Sequence, residues 1–316
     1  MANLPDLVDI QEAHHRIKKY IHKTPVMTSR QLNERVEAEV FFKCENFQRV
    51  GAFKFRGGSN AIFSLTEAEA QRGVTTHSSG NHAQAIALAA NMRGIRAIIV
   101  MPENAPKVKV NAVKGYGAEI RFCEPTLEAR EATAKQVIEE SGAVFIHPYN
   151  DRRIIAGQGT AALEFFQQQP DLNVIMAPIG GGGLMSGTAV AAKKLSGDTL
   201  AIGVEPEAAD DAYQSFKQGK LIPVQHPDTV ADGLRTSLGE LTFQTIRKYV
   251  DDIVTVSEST IIQAMRFIWE RMKIIVEPSS AVPLAALFEK KLEVENKKIG
   301  IILSGGNVDL ESLPWL

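Results

Sequence analysis

Short aliphatic and β-branched runs alternate with helix-length segments along almost the whole chain, and this alternation limits the fold more than any single motif. From residue 74 the order is VTTHS, NHAQAIALAANMRG, RAIIVMP, KVKVNAVKGYG, EIRFCE, LEAREATAKQVIEESG and VFIHP. It continues as GQGTAALEFFQQQ, NVIMAPI, LMSGTAVAAKKL, TLAIGVE, YQSFKQG, DDIVTVS, TIIQAMRFIWERM and KKIGIILS. Strands separated by helices pair side by side through crossover connections, which predicts parallel sheets covered by helices on both faces, the α/β class. Upstream, Leu7 to His22 has helical spacing closed by Thr24-Pro25, VEAEVFFKCE reads as a strand, and a helix is expected from Lys54 to about Leu65.

At 316 residues the chain exceeds one typical domain, yet no Pro-, Gly- and Ser-rich linker divides it. We therefore expect two lobes, each an open, mostly parallel twisted sheet flanked by helices, with the chain crossing between them more than once. The default ligand site is the cleft between them. A net charge of −2 with 23% charged residues gives no electrostatic footprint for nucleic acid, so the partner is small. Cys44 and Cys123 lack CxxC spacing, which argues against a disulfide framework or a zinc knuckle. Acids stand where a signal peptide would carry bases, and the uncharged run Val174 to Ala192 holds Pro178 and five glycines, so neither secretion nor a membrane span is expected. The sequence reads as cytoplasmic.

Four segments could carry chemistry. In GAFKFRGG, Lys54 stands between Phe53 and Phe55 at a strand-to-helix junction. Apolar neighbours disfavour an ammonium, so this amine is suited to forming a Schiff base; the plain alternative is a lysine on an amphipathic helix. Gly180 to Gly183 lie between an apolar strand and a helix, where backbone N–H groups and the helix start can cradle a phosphate. A dinucleotide is the rival there, since Glu205 ends the next strand 22 residues after Gly183, but no G-x-G-x-x-G frame fits and no GK[ST] follows. HSSGNHAQ (77–84) places Ser79 to move a proton, Asn81 to donate to a ring oxygen, and N–H groups to hold a carboxylate; it is equally an ordinary capped turn. SGGNVD (304–309) follows a strand and sets Ser304 to meet a heterocycle nitrogen, or simply to turn the chain.

Taken together, the lysine at a helix start, SSGNH, the tetraglycine loop and SGGN resemble the β-family, or fold type II, of pyridoxal 5′-phosphate enzymes, with its tryptophan synthase β-like fold. The resemblance spans nearly the whole chain. HSSGNHAQA, AGQGT, VEPEAADD, ADG, MKIIVEP and LSGGNVDL point to the serine/threonine dehydratase group and, within it, to the eukaryotic-type serine racemases. It implies a large cofactor-binding domain of 1–65 and 150–316 and a small substrate-binding domain of 66–149. It further implies Lys54 as the Schiff-base lysine, with Phe53, Asn81, Gly180, Gly181, Gly182, Gly183, Glu277 and Ser304 around the cofactor. Alanine at position 52 replaces the family's small hydroxyl residue. Ser79 is implied as the second acid/base, opposite the lysine, which permits inversion at Cα. Ser78, Ser79, Asn81 and His82 would hold the substrate, with Arg130 and Thr236 nearby; Thr236 replaces a family serine and Tyr149 a family asparagine.

The resemblance also implies a Mg²⁺ (or Ca²⁺ or Mn²⁺) site at Glu205, the Ala209 carbonyl and Asp211, and oxygen-only ligands suit a hard cation. The same motif reads otherwise as a solvated acidic loop. An activating ATP is implied only where Gln84, Tyr116 and Asn307 match, since Gln11, Arg30, Arg49 and Val50 depart from the pattern. His14, His15, His22, His147, His226 and the two cysteines read as packing or surface residues. The expected protein is a homodimeric lyase that removes water from small 3-hydroxy amino acids, chiefly serine, and interconverts L- and D-serine. A 3-hydroxyaspartate ammonia-lyase is the near alternative, with Arg130, Arg152 or Arg235 meeting the extra carboxylate. A nicotinamide oxidoreductase or nucleotide-binding module is the distant one.

Overall fold

Two sheets carry the fold. The computed structural model describes residues 4–223 and 227–316, so His226 lies outside the described residues. The strands are β1 (Val26–Thr28), β2 (Glu39–Cys44), β3 (Val74–His77), β4 (Ala97–Pro102), β5 (Glu119–Cys123), β6 (Val144–Phe145), β7 (Val174–Pro178), β8 (Leu200–Pro206), β9 (Asp252–Val256) and β10 (Lys298–Leu303). One sheet has the order β1-β2-β10-β7-β8-β9 and the other β5-β4-β3-β6. All pairings are parallel except β1 with β2. Strands β4, β7 and β10 are apolar almost throughout because helices cover both faces of each sheet.

The alternation read from the sequence is present, with differences at the ends of elements. The leading helix stops at Ile17, and β6 keeps only two residues of VFIHP. The helix Arg152–Gln168 starts five residues before GQGT because the Asp151 carboxylate accepts from the Arg153 N–H and caps it. The helix Pro278–Phe288 has no signature in the sequence: it is buried on nearly all sides, so no amphipathic period shows, and it contains Pro283. Pro278 starts that helix, where a missing N–H costs nothing. Short helices at Arg30–Val36, Glu67–Arg72 and Glu240–Tyr249, and the three-residue β1, also have no counterpart among the segments expected from sequence.

A buried polar knot anchors the helix Lys54–Phe63. Arg56 gives Nε and Nη2 to Glu45, at 2.7 and 2.8 Å, and Nη1 and Nη2 to Glu164, at 3.0 and 2.8 Å. Lys43 on β2 adds bonds to Glu164, at 2.9 Å, and to the Thr24 carbonyl, at 2.8 Å. Two buried cations and two buried carboxylates cancel in charge and nearly every donor is used, which is what such a cluster needs if it is not to cost stability. Among the described residues no helix is long and apolar enough to cross a membrane.

Candidate active site

The strand ends build the site. The segments after the C-terminal ends of β3, β6, β7 and β10, together with the start of the Lys54–Phe63 helix, line one cavity of about 700 Å³. Open α/β sheets place ligands at such ends, since the loops there are free of the ladder. Lys54 is strapped to the segment after β10 by backbone bonds: Phe53 N–H donates to the Ser304 carbonyl at 2.9 Å, and Gly306 N–H to the Gly51 carbonyl at 2.9 Å. The Lys54 amine donates to the Pro148 carbonyl at 3.0 Å and lies 5.2 Å from the centre of the Phe53 ring. Burial pushes its pKa down to about 8, against a partial pull upward from Glu277. Phe55, the other expected aromatic neighbour, fills the core beside Ile17 and Ile86.

The four glycines follow β7 and are required by close approach. A Cβ on Gly181 would stand 2.2 Å from the Tyr149 ring, and Gly182 has φ +83°, a left-handed conformation that favours glycine. The loop leads directly into the helix Gly183–Leu195, whose first N–H groups point toward the cavity end of the helix axis. This backbone cradle and a depressed amine in one cavity fit a phosphorylated aldehyde.

Asn81 gives its side-chain amide to both oxygens of Glu277, at 3.0 and 3.1 Å, while Asn307 donates to the Asn81 carbonyl oxygen at 2.8 Å and through its backbone to Glu277 at 3.1 Å. Burial lifts the Glu277 carboxyl to about 7. Ser304 Oγ lies 3.1 Å from Ser280 Oγ, and Ser280 in turn exchanges bonds with Gly305. No sequence signal marks Ser280, because its helix is the one without a period. Ser78 accepts from Gly80 N–H at 3.3 Å, and Ser79 lines the cavity from the same turn. His82 is buried, with Nε2 3.3 Å from the Ile146 carbonyl and Nδ1 without a partner; burial and Lys54 push it well below the usual histidine range, so it is neutral. His147, read from the sequence as a packing or surface residue, instead lines the cavity, accepts from the Tyr149 and Asn150 N–H groups, and is pushed down to about 4 by burial.

Arg130, Thr236 and Tyr149 line the same cavity, Arg130 with Nε on the Thr126 carbonyl at 3.2 Å. Of the other arginines considered, Arg152 forms a two-pronged pair with Asp9, and Arg235 turns back onto the Thr229 carbonyl. Glu205 lies elsewhere, wholly buried at the end of β8, accepting from the N–H groups of Ala212 at 3.2 Å and Tyr213 at 2.7 Å. Asp211 accepts from Leu238 N–H at 3.2 Å and leaves Oδ1 without a partner. Burial raises both carboxyls, Asp211 to about 7 and Glu205 well above the usual range with help from Asp211. Ala209 is buried in the short turn between them. Two crowded carboxyls with an orphaned oxygen fit a hard cation; among the described residues no group of three His, Cys, Asp or Glu could hold one by side chains alone, so carbonyl and water ligands would complete the shell.

The chain is similar to known proteins along nearly its whole length. The chain is 49% identical over 312 residues to a beta-hydroxyaspartate dehydratase of Paracoccus denitrificans, covering 99% of each. The crystal structure of serine racemase from Dictyostelium discoideum superposes with a TM-score of 0.93 at 51% identity, over 97% of this chain and 99% of that one. A threonine deaminase from T.th. does so with a TM-score of 0.92 at 43% identity, over 97% and 99%. Residues 17–305 match the family described as Pyridoxal-phosphate dependent enzyme, and the chain belongs to that family.

Proposed function

We propose that this enzyme is an ammonia-lyase for small 3-hydroxy amino acids that also interconverts the enantiomers of serine. The observation that carries this reading is a lysine amine of depressed pKa and the Ser79 hydroxyl lining one cavity with a glycine cradle. Its similarity to a dehydratase, a racemase and a deaminase supports the same pair of reactions. Bound pyridoxal phosphate supplies the electron sink that makes the substrate's Cα proton removable. Gly180 to Gly183 would hold its phosphate, Ser304 would face its ring nitrogen, and Asn81, oriented by Glu277 and Asn307, would contact its ring oxygen. Phe53 would pack beside the ring.

Ser78, Asn81 and the neutral His82 receive the substrate carboxylate, which fixes Cα between the two bases. Lys54 takes the Cα proton on one side. Departure of the β-hydroxyl as water leaves an enamine, and its imine tautomer takes up water to give the 2-oxo acid and ammonia. Return of a proton from Ser79 on the other side gives the opposite enantiomer. The smaller sheet and its helices, 66–149, act as the substrate-binding domain, and 1–65 with 150–316 as the cofactor domain; Glu205, the Ala209 carbonyl and Asp211 would hold a Mg²⁺-type ion that stiffens the latter. The working unit is a homodimer. The test is a panel of hydroxy amino acids assayed for 2-oxo acid and for enantiomer exchange, with and without ATP; a colourless protein that binds NAD would reverse the assignment.

A further inference from the structure

Tyr149 and Thr236 are 87 residues apart in sequence, yet their hydroxyl oxygens lie 3.1 Å apart on the cavity wall. The tyrosine ring has little freedom: it rests against Gly181, its Cβ lies close to Gly183, and it meets His147 edge-on at 4.6 Å. Burial raises the phenol pKa, so the hydroxyl keeps its proton at neutral pH. When two hydroxyls pair, one donates to the other and the acceptor's own hydrogen stays available, so the pair offers the cavity one fixed donor.

That donor shares the cavity with a cation whose strongest hydrogen-bonding positions are free. Only Nε of Arg130 is engaged, and no described residue pairs with its two terminal nitrogens. Arg152 and Arg235, the other candidates, are committed to Asp9 and to the Thr229 carbonyl. Glu131 also lines the cavity but is exposed, where solvent screens its charge. A guanidinium and a fixed hydroxyl donor make a receptor for a group that only accepts. Serine carries no such group beyond its α-carboxylate; 3-hydroxyaspartate carries a second carboxylate on the carbon that bears the hydroxyl.

We propose that Tyr149, held by Thr236, is a specificity-determining residue that works with Arg130 to favour 3-hydroxy amino acids bearing a second carboxylate over serine. The inference rests on the ammonia-lyase reading above. Losing a hydrogen bond to a charged group costs roughly tenfold to a hundredfold in affinity. Steady-state kcat/KM of the pyridoxal-phosphate-loaded enzyme is measured for threo-3-hydroxyaspartate and L-serine, in the wild type, Tyr149→Phe, Thr236→Val and the double variant. Tyr149→Phe removes a single oxygen and leaves the ring in place. The expected result is a fall of at least tenfold in the ratio of the two kcat/KM values, borne by KM for hydroxyaspartate. The same direction is expected for Thr236→Val, and the double variant should be no worse than the more damaging single one, because one pair is being broken. A ratio unchanged within about twofold, or additive losses, overturns the proposal. A wild type that processes serine but not hydroxyaspartate sinks it while leaving the lyase reading intact; a wild type that processes neither removes that reading itself.

Discussion

Lys54 shows how a single residue's surroundings set its chemistry. With the amine lowered to about 8 from 10.5, half of it is uncharged near pH 8. Only the uncharged amine captures an aldehyde, so the rate at which apoprotein takes up pyridoxal phosphate is expected to rise with a midpoint near pH 8 and level off above it. A midpoint near 10.5 would show that the cavity does not dry the amine. The sign of the linked stability follows: the unfolded chain binds the extra proton between about pH 8 and 10.5, so the apoprotein gains stability as pH rises through that window. At Ser79, replacement by alanine is expected to keep 2-oxo acid formation from L-serine within about tenfold and to reduce D-serine formation by at least a hundredfold, as loss of a general acid/base usually does. Undiminished D-serine would defeat the two-base assignment. The place of both residues on the cavity wall is legible in the sequence because each sits in a short motif whose neighbours along the chain are its neighbours in space. The Tyr149 and Thr236 contact is not, since nothing in either local sequence points to the other.

At the level of elements, the helix Lys54–Phe63 is held by partners from three other segments: β2 with the turn after it, the chain at Thr24, and the helix Arg152–Gln168. Local sequence reports the helix and its first residue but not this anchorage, because Arg56 and Glu164 are 108 positions apart. Replacing Arg56 with methionine leaves Glu45 and Glu164 buried beside a single cation. The expected cost is about 3–5 kcal/mol in chemical denaturation of the apoprotein, the usual consequence of removing one member of a buried charge cluster. A loss under about 1 kcal/mol would mean that water enters the knot. The same long-range logic explains why the helix Pro278–Phe288, bearer of Ser280, leaves no trace in the sequence pattern: that pattern is set by burial on every side, and period-based reading needs one wet face.

For the molecule as a whole, the Glu205 and Asp211 pair ties stability to pH, and the ion proposed there would tie it to metal as well. In ion-free protein both folded carboxyls hold protons that the unfolded chain would release, so stability falls as pH rises above about 4, through about 7 for Asp211. The cation proposed for this pair would replace those protons. EDTA is therefore expected to lower the melting temperature by about 5 °C above pH 7, where the ion's binding energy is fully expressed, and hardly at all near pH 4.5. Equal effects at both pH values, or none, would remove the ion from this site. The two-sheet architecture is legible because alternation is a property of the whole chain. The order of strands within each sheet is not, because register depends on pairings between distant segments.

One of those pairings shapes how the protein can be made. β10 lies between β2 and β7, with Glu39 beside Lys298, so the middle of the larger sheet is supplied by the last of the described strands. On the ribosome, β2 must wait until Lys298 and its neighbours emerge with its inner edge unpaired, a condition that slows folding and invites misassociation. The smaller sheet, complete once Phe145 emerges, needs no such delay. Because Ser304 and the straps to Lys54 follow directly on β10, the cavity proposed for the coenzyme closes only after that strand has been made, and a ribosome stalled before residue 298 would carry a chain with that cavity incomplete.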